Sequence, residues 1–120
     1  ILGISLSNMI LNGPKEELDL TENTQPAIFL LSYSIYKLIE NETDFDLSKA
    51  KFFAGHSLGE YTALTLANSI TFNQGLSLLK NRAESMQSAV PLGVGGMLAV
   101  LGVETNEIIK IMRTDTRKIQ

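Results

Sequence analysis

Five residues, Gly55-His56-Ser57-Leu58-Gly59, constrain the fold of this chain more than any other feature. They read G-x-S-x-G. Before them runs Ala50 to Gly55, short and apolar with two Phe and a terminal Gly, the pattern of a buried strand. After them, Leu58 to Asn68 is rich in helix formers, and Glu60 falls in the first turn, where a negative charge suits the helix dipole. A strand that turns sharply into a helix at G-x-S-x-G is the setting of a nucleophile elbow. Such a turn forces the serine backbone into a strained conformation, and the flanking glycines leave room for the chain to fold that tightly. Ser57 Oγ is then expected clear of the sheet at a helix N-terminus. The backbone N–H of Leu58 is expected to point at the same space, as a donor to an oxyanion.

The rest of the chain alternates helices with a second strand. Residues 1–12 predict a helix, broken at Asn12-Gly13-Pro14, and Lys15 to Leu20 predicts a short charged helical turn. Thr24-Gln25-Pro26 is expected to open a helix, since Pro is tolerated in the first turn. Ile28, Leu31, Ile35, Leu38 and Ile39 recur at spacings of three and four and predict its buried face. Thr71 with Gln74 reads as a capping box. It starts a helix reaching about Ala89, with Gly75, Leu78, Leu79, Arg82, Ala83 and Met86 on one stripe. Pro91 to Gly96 reads as a loop, Met97 to Val103 as a strand, and Thr105 or Asn106 as the cap of a last helix carrying Ile108, Ile109 and Met112. Strands alternating with helices predict an α/β fold.

Composition excludes several functions. The charged share is 19%, below the roughly 25% of average domains, and the hydrophobic share is 44%, so the chain is not disordered. Ten Lys+Arg against thirteen Asp+Glu form no basic block, so nucleic acid is not an expected partner. With no Cys and the single His56, neither a thiolate nucleophile nor a metal centre is expected. No stretch approaches the roughly 20 apolar residues of a membrane span, and the first ten residues lack the features of a signal peptide. The expected location is the cytoplasm, with no membrane association. The chain opens on Ile1 inside an apolar run and stops at Gln120 without a closing element, as a piece of a longer protein would.

Three further residues bear on chemistry. His56 is not the base for Ser57. Adjacent side chains on a tight elbow diverge, and a base must reach the hydroxyl within about 3 Å. His56 is expected to pack or hydrogen-bond beneath the turn. Arg82 puts a guanidinium on an apolar stripe, which demands a partner or a route to water. It either snorkels or pairs with an Asp or Glu, or it clamps a substrate carboxylate through its planar fork. Gln25 is a candidate substrate-binding residue beside the plainer alternative of helix capping. Gly93-Val94-Gly95-Gly96 lacks the lysine of a phosphate loop and precedes a strand, so it reads as a hinge.

From Gly55 to Leu64 the sequence GHSLGEYTAL resembles the malonyl-CoA:acyl-carrier-protein transacylases and the related acyltransferase domains of fatty-acid and polyketide synthases. Gly13-Pro14 with Glu16-Glu17-Leu18, Thr24-Gln25-Pro26-Ala27, Arg82 with Met86-Gln87, Ala89-Val90-Pro91, and Gly96-Met97 before Ala99-Val100 follow in the family's order, up to about Met112. The resemblance implies a hydrolase-like α/β subdomain over residues 1–92, with the hinge and first strand and helix of a small ferredoxin-like subdomain over 93–120. It implies that Ser57 is the acyl-carrying nucleophile, that the Leu58 N–H is one oxyanion donor, and that Arg82 binds the free carboxylate of malonate. A branched apolar residue at the position of Leu58 accompanies malonyl rather than methylmalonyl selection in this family.

The implied reaction takes malonyl from malonyl-CoA to the phosphopantetheine thiol of holo acyl-carrier protein, in fatty-acid biosynthesis, with no bound cofactor or metal. The family's Gly-Gln-Gly loop is expected upstream of Ile1 and its catalytic His beyond Gln120. Residues 1–120 alone are therefore expected to be inactive. The alternatives are the acyltransferase domain of a polyketide synthase, an α/β serine hydrolase, which has no need of Arg82, and a non-catalytic scaffold domain.

Overall fold

Helix-forming sequence and three converging apolar surfaces produce a small helical assembly. The computed structural model describes residues 2–90, 94 and 99–114. The chain divides into two compact units, Ile1–Ala89 and Val90–Gln120.

The first unit begins with α1, Leu6–Asn12, and the single turn α2, Lys15–Leu18. Residues 3–5 lie outside α1, so the expected first helix is shorter than the apolar run that predicts it. The long α3 spans Thr21–Glu42. It starts one turn before Thr24-Gln25-Pro26, which leaves Pro26 inside the helix, not at its first position. Pro26 cannot donate to Glu22, yet the turn is held by other means. Asn23 Nδ2 donates to the Glu17 carbonyl at 2.9 Å and Thr24 Oγ1 to the Leu18 carbonyl at 2.5 Å. These side chains satisfy carbonyls of α2 and tie it to the helix start.

A 3₁₀ turn, Leu47–Lys49, leads to the extended stretch 51–55 and then α4, Gly59–Leu66. Asn68 adopts a positive φ of 57° just beyond α4, a left-handed conformation that Asn tolerates at helix ends. The capping box forms as the sequence predicts. Thr71 N donates to Gln74 Oε1 at 2.9 Å, Gln74 N to Thr71 Oγ1 at 3.2 Å, and α5 runs Phe72–Ala89.

The core lies where α3, α4 and α5 meet. Phe29, Leu76 and Leu79 are buried together, and Leu2, Leu58, Tyr61 and Phe72 pack against them. Phe29 and Phe72 stack with ring centroids 5.2 Å apart. Gly75 is the contact point. A Cβ there would lie 2.8 Å from both Phe29 Cζ and Thr65 Oγ1, so α5 approaches α3 and α4 only because this side chain is missing.

Two sequence expectations fail here for one reason. The buried strand predicted over Ala50 to Gly55 is not formed, and Phe52 is 88% exposed. A strand exists only through hydrogen bonds to a neighbour, and no other described residue supplies one. Likewise Ile28, Leu31, Ile35 and Leu38 form an exposed stripe along α3, while Gln25, Pro26, Ala27 and Phe29 are the buried residues. Both surfaces carry the apolar pattern of a core yet stay largely exposed among the described residues, with Tyr36 and Phe53 in ring contact at 6.4 Å between centroids.

In the second unit, α6 spans Thr105–Thr114. It begins at Thr105, with Glu104 O accepting from Ile108 N at 3.3 Å. The capping position therefore falls on Glu104, one residue before the predicted Thr105 and two before Asn106. Residues 99–103 form no strand. The loop expected over Pro91 to Gly96 with its hinge at Gly93 to Gly96, apart from Val94, and the first two residues of the predicted strand lie outside the described residues. The described residues thus contain helices without a sheet.

Candidate active site

The elbow is built from backbone geometry. Ser57 has φ 55°, in the left-handed region that L residues avoid. Gly55 makes this turn possible. A Cβ on it would sit 1.9 Å from Gly59 O, 2.0 Å from Gly59 C and 2.5 Å from Glu60 N. The two glycines are not equivalent, because a Cβ on Gly59 would meet nothing within 4 Å among the described residues. The expectation that both flanking glycines make room holds for Gly55 alone.

Past the serine the chain coils tightly. Gly59 N donates to His56 O at 2.9 Å, Glu60 N to Ser57 O at 3.2 Å and Tyr61 N to Leu58 O at 3.1 Å. These are i to i−3 bonds, the tight winding that opens α4. Leu58 precedes them, and its N–H makes no backbone hydrogen bond among the described residues. Its side chain packs on the Phe29, Leu76 and Leu79 core, which anchors the elbow to α3 and α5. His56, expected to pack or hydrogen-bond beneath the turn, is instead exposed, and its imidazole makes no hydrogen bond among the described residues.

Arg82 and Gln25 come together at Ser57. Arg82 Nη2 donates to Ser57 Oγ at 2.9 Å, and Arg82 Nη1 donates to Gln25 Oε1. A guanidinium has no acceptor, so Ser57 must accept in this contact and its own proton remains available for transfer to a base. Arg82 is half-buried, and no carboxylate pairs with it among the described residues. The partner that its stripe demands is therefore a buried amide and a serine, not an Asp or Glu. Gln25 is 3% exposed. It does not cap α3, since Leu20 occupies that position. Its Nε2 donates to Thr21 Oγ1 at 3.0 Å and to Met86 Sδ at 3.4 Å.

Thr21 and Met86 were not singled out by sequence as partners of this amide. The signal that would find them is periodicity. Thr21 lies one turn before Gln25, and Met86 one turn after Arg82, on the same helix faces. Among the described residues no group of three or more His, Asp or Glu is arranged to hold a metal ion, and no helix is long and apolar enough to cross a membrane.

The site thus brings together a serine in a left-handed backbone conformation at a helix start, an arginine on its hydroxyl and a buried amide on that arginine. The family described as "Acyl transferase domain" matches residues 1–116. A malonyl CoA-acyl carrier protein transacylase of Haemophilus influenzae is 41% identical over 108 residues, 90% of this chain and 34% of that protein. The enzyme of the same name from Bacillus subtilis is 39% identical over 111 residues, 92% of this chain and 33% of that protein. The crystal structure of an acyl-carrier-protein S-malonyltransferase from Burkholderia pseudomallei superposes with a TM-score of 0.78 at 41% identity, covering 93% of this chain and 36% of that one. The chain spans about a third of the length of the relatives it matches.

Proposed function

The chain belongs to the acyl transferase domain family, and on that footing we propose that it is the serine-bearing part of a cytoplasmic malonyltransferase of fatty-acid synthesis, which moves malonyl from malonyl-CoA to acyl-carrier protein. Ser57 Oγ attacks the thioester carbonyl. An oxygen–carbon bond forms, the carbon–sulfur bond breaks, and the serine proton leaves through a base to the departing thiolate of CoA. The phosphopantetheine thiol of the carrier then attacks the malonyl-serine ester and regenerates Ser57. The Leu58 N–H donates to the oxyanion of each tetrahedral intermediate. No described residue is placed to act as base to Ser57, so this reading assigns the base to another part of the whole protein. It also assigns there the strands that pair with residues 51–55 in an α/β sheet. Residues 93–120 open the ferredoxin-like subdomain.

The observation that carries the reading is the Arg82 contact with Ser57 Oγ at 2.9 Å. A malonyl group on that oxygen carries its free carboxylate two carbons further on, within reach of the same guanidinium. An acetyl group has nothing to offer it. A hydrolase of simple esters has no use for a cation at this place.

The test is the ratio of substrates. A hydrogen bond to a charged group contributes about 1.5–3 kcal/mol, or roughly 10- to 150-fold at 1.4 kcal/mol per decade. Arg82→Ala is expected to lower kcat/KM for malonyl-CoA by that order and to spare acetyl-CoA. Arg82→Lys is expected to restore only part, because an ammonium is a point charge without the planar fork. A parallel fall for both substrates would make Arg82 a structural residue and remove the clamp.

A further inference from the structure

The Gln25 side chain is committed on both sides. Its Oε1 accepts from Arg82 Nη1, and its Nε2 donates to Thr21 Oγ1 and Met86 Sδ at 3.0 and 3.4 Å. Chemistry forces this orientation. The guanidinium only donates, so the amide oxygen must face it, and the two amide protons then face the hydroxyl and the thioether. With both protons taken and the group 3% exposed, Gln25 has no donor left for an acyl group. That argues against its expected role as a substrate-binding residue.

The acceptor is also uncharged. A carboxylate in its place would grip the guanidinium harder, through charge-assisted paired bonds, but it would cancel the positive charge beside Ser57. An amide fixes one nitrogen of Arg82 and leaves that charge uncompensated. We infer that Gln25 is a positioning residue that sets acyl selectivity. Its neutral amide, oriented by Thr21 and Met86, holds Arg82 against Ser57 while keeping the guanidinium charge for a substrate carboxylate. This inference rests on the reading of Arg82 as a carboxylate clamp.

The experiment compares kcat/KM for malonyl-CoA and acetyl-CoA in the whole protein. Gln25→Glu keeps the size and an oxygen for Arg82 but supplies a competing charge. It is expected to lower the malonyl/acetyl ratio about ten- to a hundredfold, chiefly through KM for malonyl-CoA. The double variant Thr21→Val with Met86→Leu leaves Gln25 and Arg82 in place and removes the acceptors that orient the amide. It is expected to lower the same ratio by about three- to tenfold, half a decade or more on the same scale. Should Gln25→Glu fail to fold, the double variant decides. A wild-type ratio in a folded Gln25→Glu protein, or in the double variant, overturns the inference. Two outcomes keep the underlying reading separate. A wild-type protein that forms no malonyl-enzyme removes the proposed function itself. An Arg82→Ala ratio that falls while the Gln25→Glu ratio holds removes only the role given to Gln25.

Discussion

Ser57→Ala is expected to abolish the malonyl label that the whole protein acquires on brief incubation with labelled malonyl-CoA, while leaving the protein folded. The substitution deletes one oxygen from an exposed side chain, and the core residues Phe29, Leu76 and Leu79 are untouched. Loss of the serine from a catalytic triad can cost on the order of a millionfold in turnover. No step of the proposed route survives without an oxygen to carry the acyl group. Two measurements separate this from a folding defect. Mass spectrometry of the intact protein reads the label, and the melting temperature reads the fold. Label retained on the Ala variant, at another residue or through a tightly held thioester, would remove Ser57 from the mechanism.

Gly55→Ala is the second large effect. Its new methyl would fall within 1.9 to 2.5 Å of three backbone atoms of Gly59 and Glu60. Backbone cannot swing aside as a flexible side chain can, so the first turn of α4 must move and take Ser57 with it. Misplacement of a reacting group by about 1 Å can cost a hundredfold in rate. Overpacking adds about 1–3 kcal/mol of destabilisation or more. The expected result is acylation slowed by at least a hundredfold together with a lower denaturation midpoint. Gly59→Ala provides the contrast, since its Cβ meets nothing among the described residues. Its destabilisation should be much the smaller, because alanine favours a helix over glycine by up to about 1 kcal/mol. Equal losses of stability in the two variants would show that general crowding of the elbow, not the Gly55–Gly59 approach, is what matters.

What the sequence discloses divides by distance along the chain. The elbow and the Thr71–Gln74 box were legible because each is settled by residues within five positions of one another. The start of α3 is not legible in this way, because Pro26 has the look of a first-turn residue. Asn23 and Thr24 reach back to α2, and those tethers carry the helix start forward of the proline. The strand at 51–55 and the apolar stripe of α3 depend on neighbours that no local pattern contains. For Arg82 the apolar stripe demands a partner without naming it, and the amide that α3 brings to it, Gln25, lies 57 positions away. A polar residue ahead of a helical proline gives no hint that it will be 3% exposed.

The φ of 55° at Ser57 has a consequence for anyone who would redesign this protein. Holding a non-glycine residue in such a conformation costs on the order of 1–3 kcal/mol. A search guided by folding free energy alone would offer glycine at position 57, where the strain vanishes, and would count the change as an improvement. Stabilising substitutions commonly cost function where an active site is strained. At this position a change that relieves the fold is the one that deletes the proposed nucleophile. Thermostability screens on this scaffold therefore need an acylation readout beside the melting curve, or they will select steadily toward an inert protein.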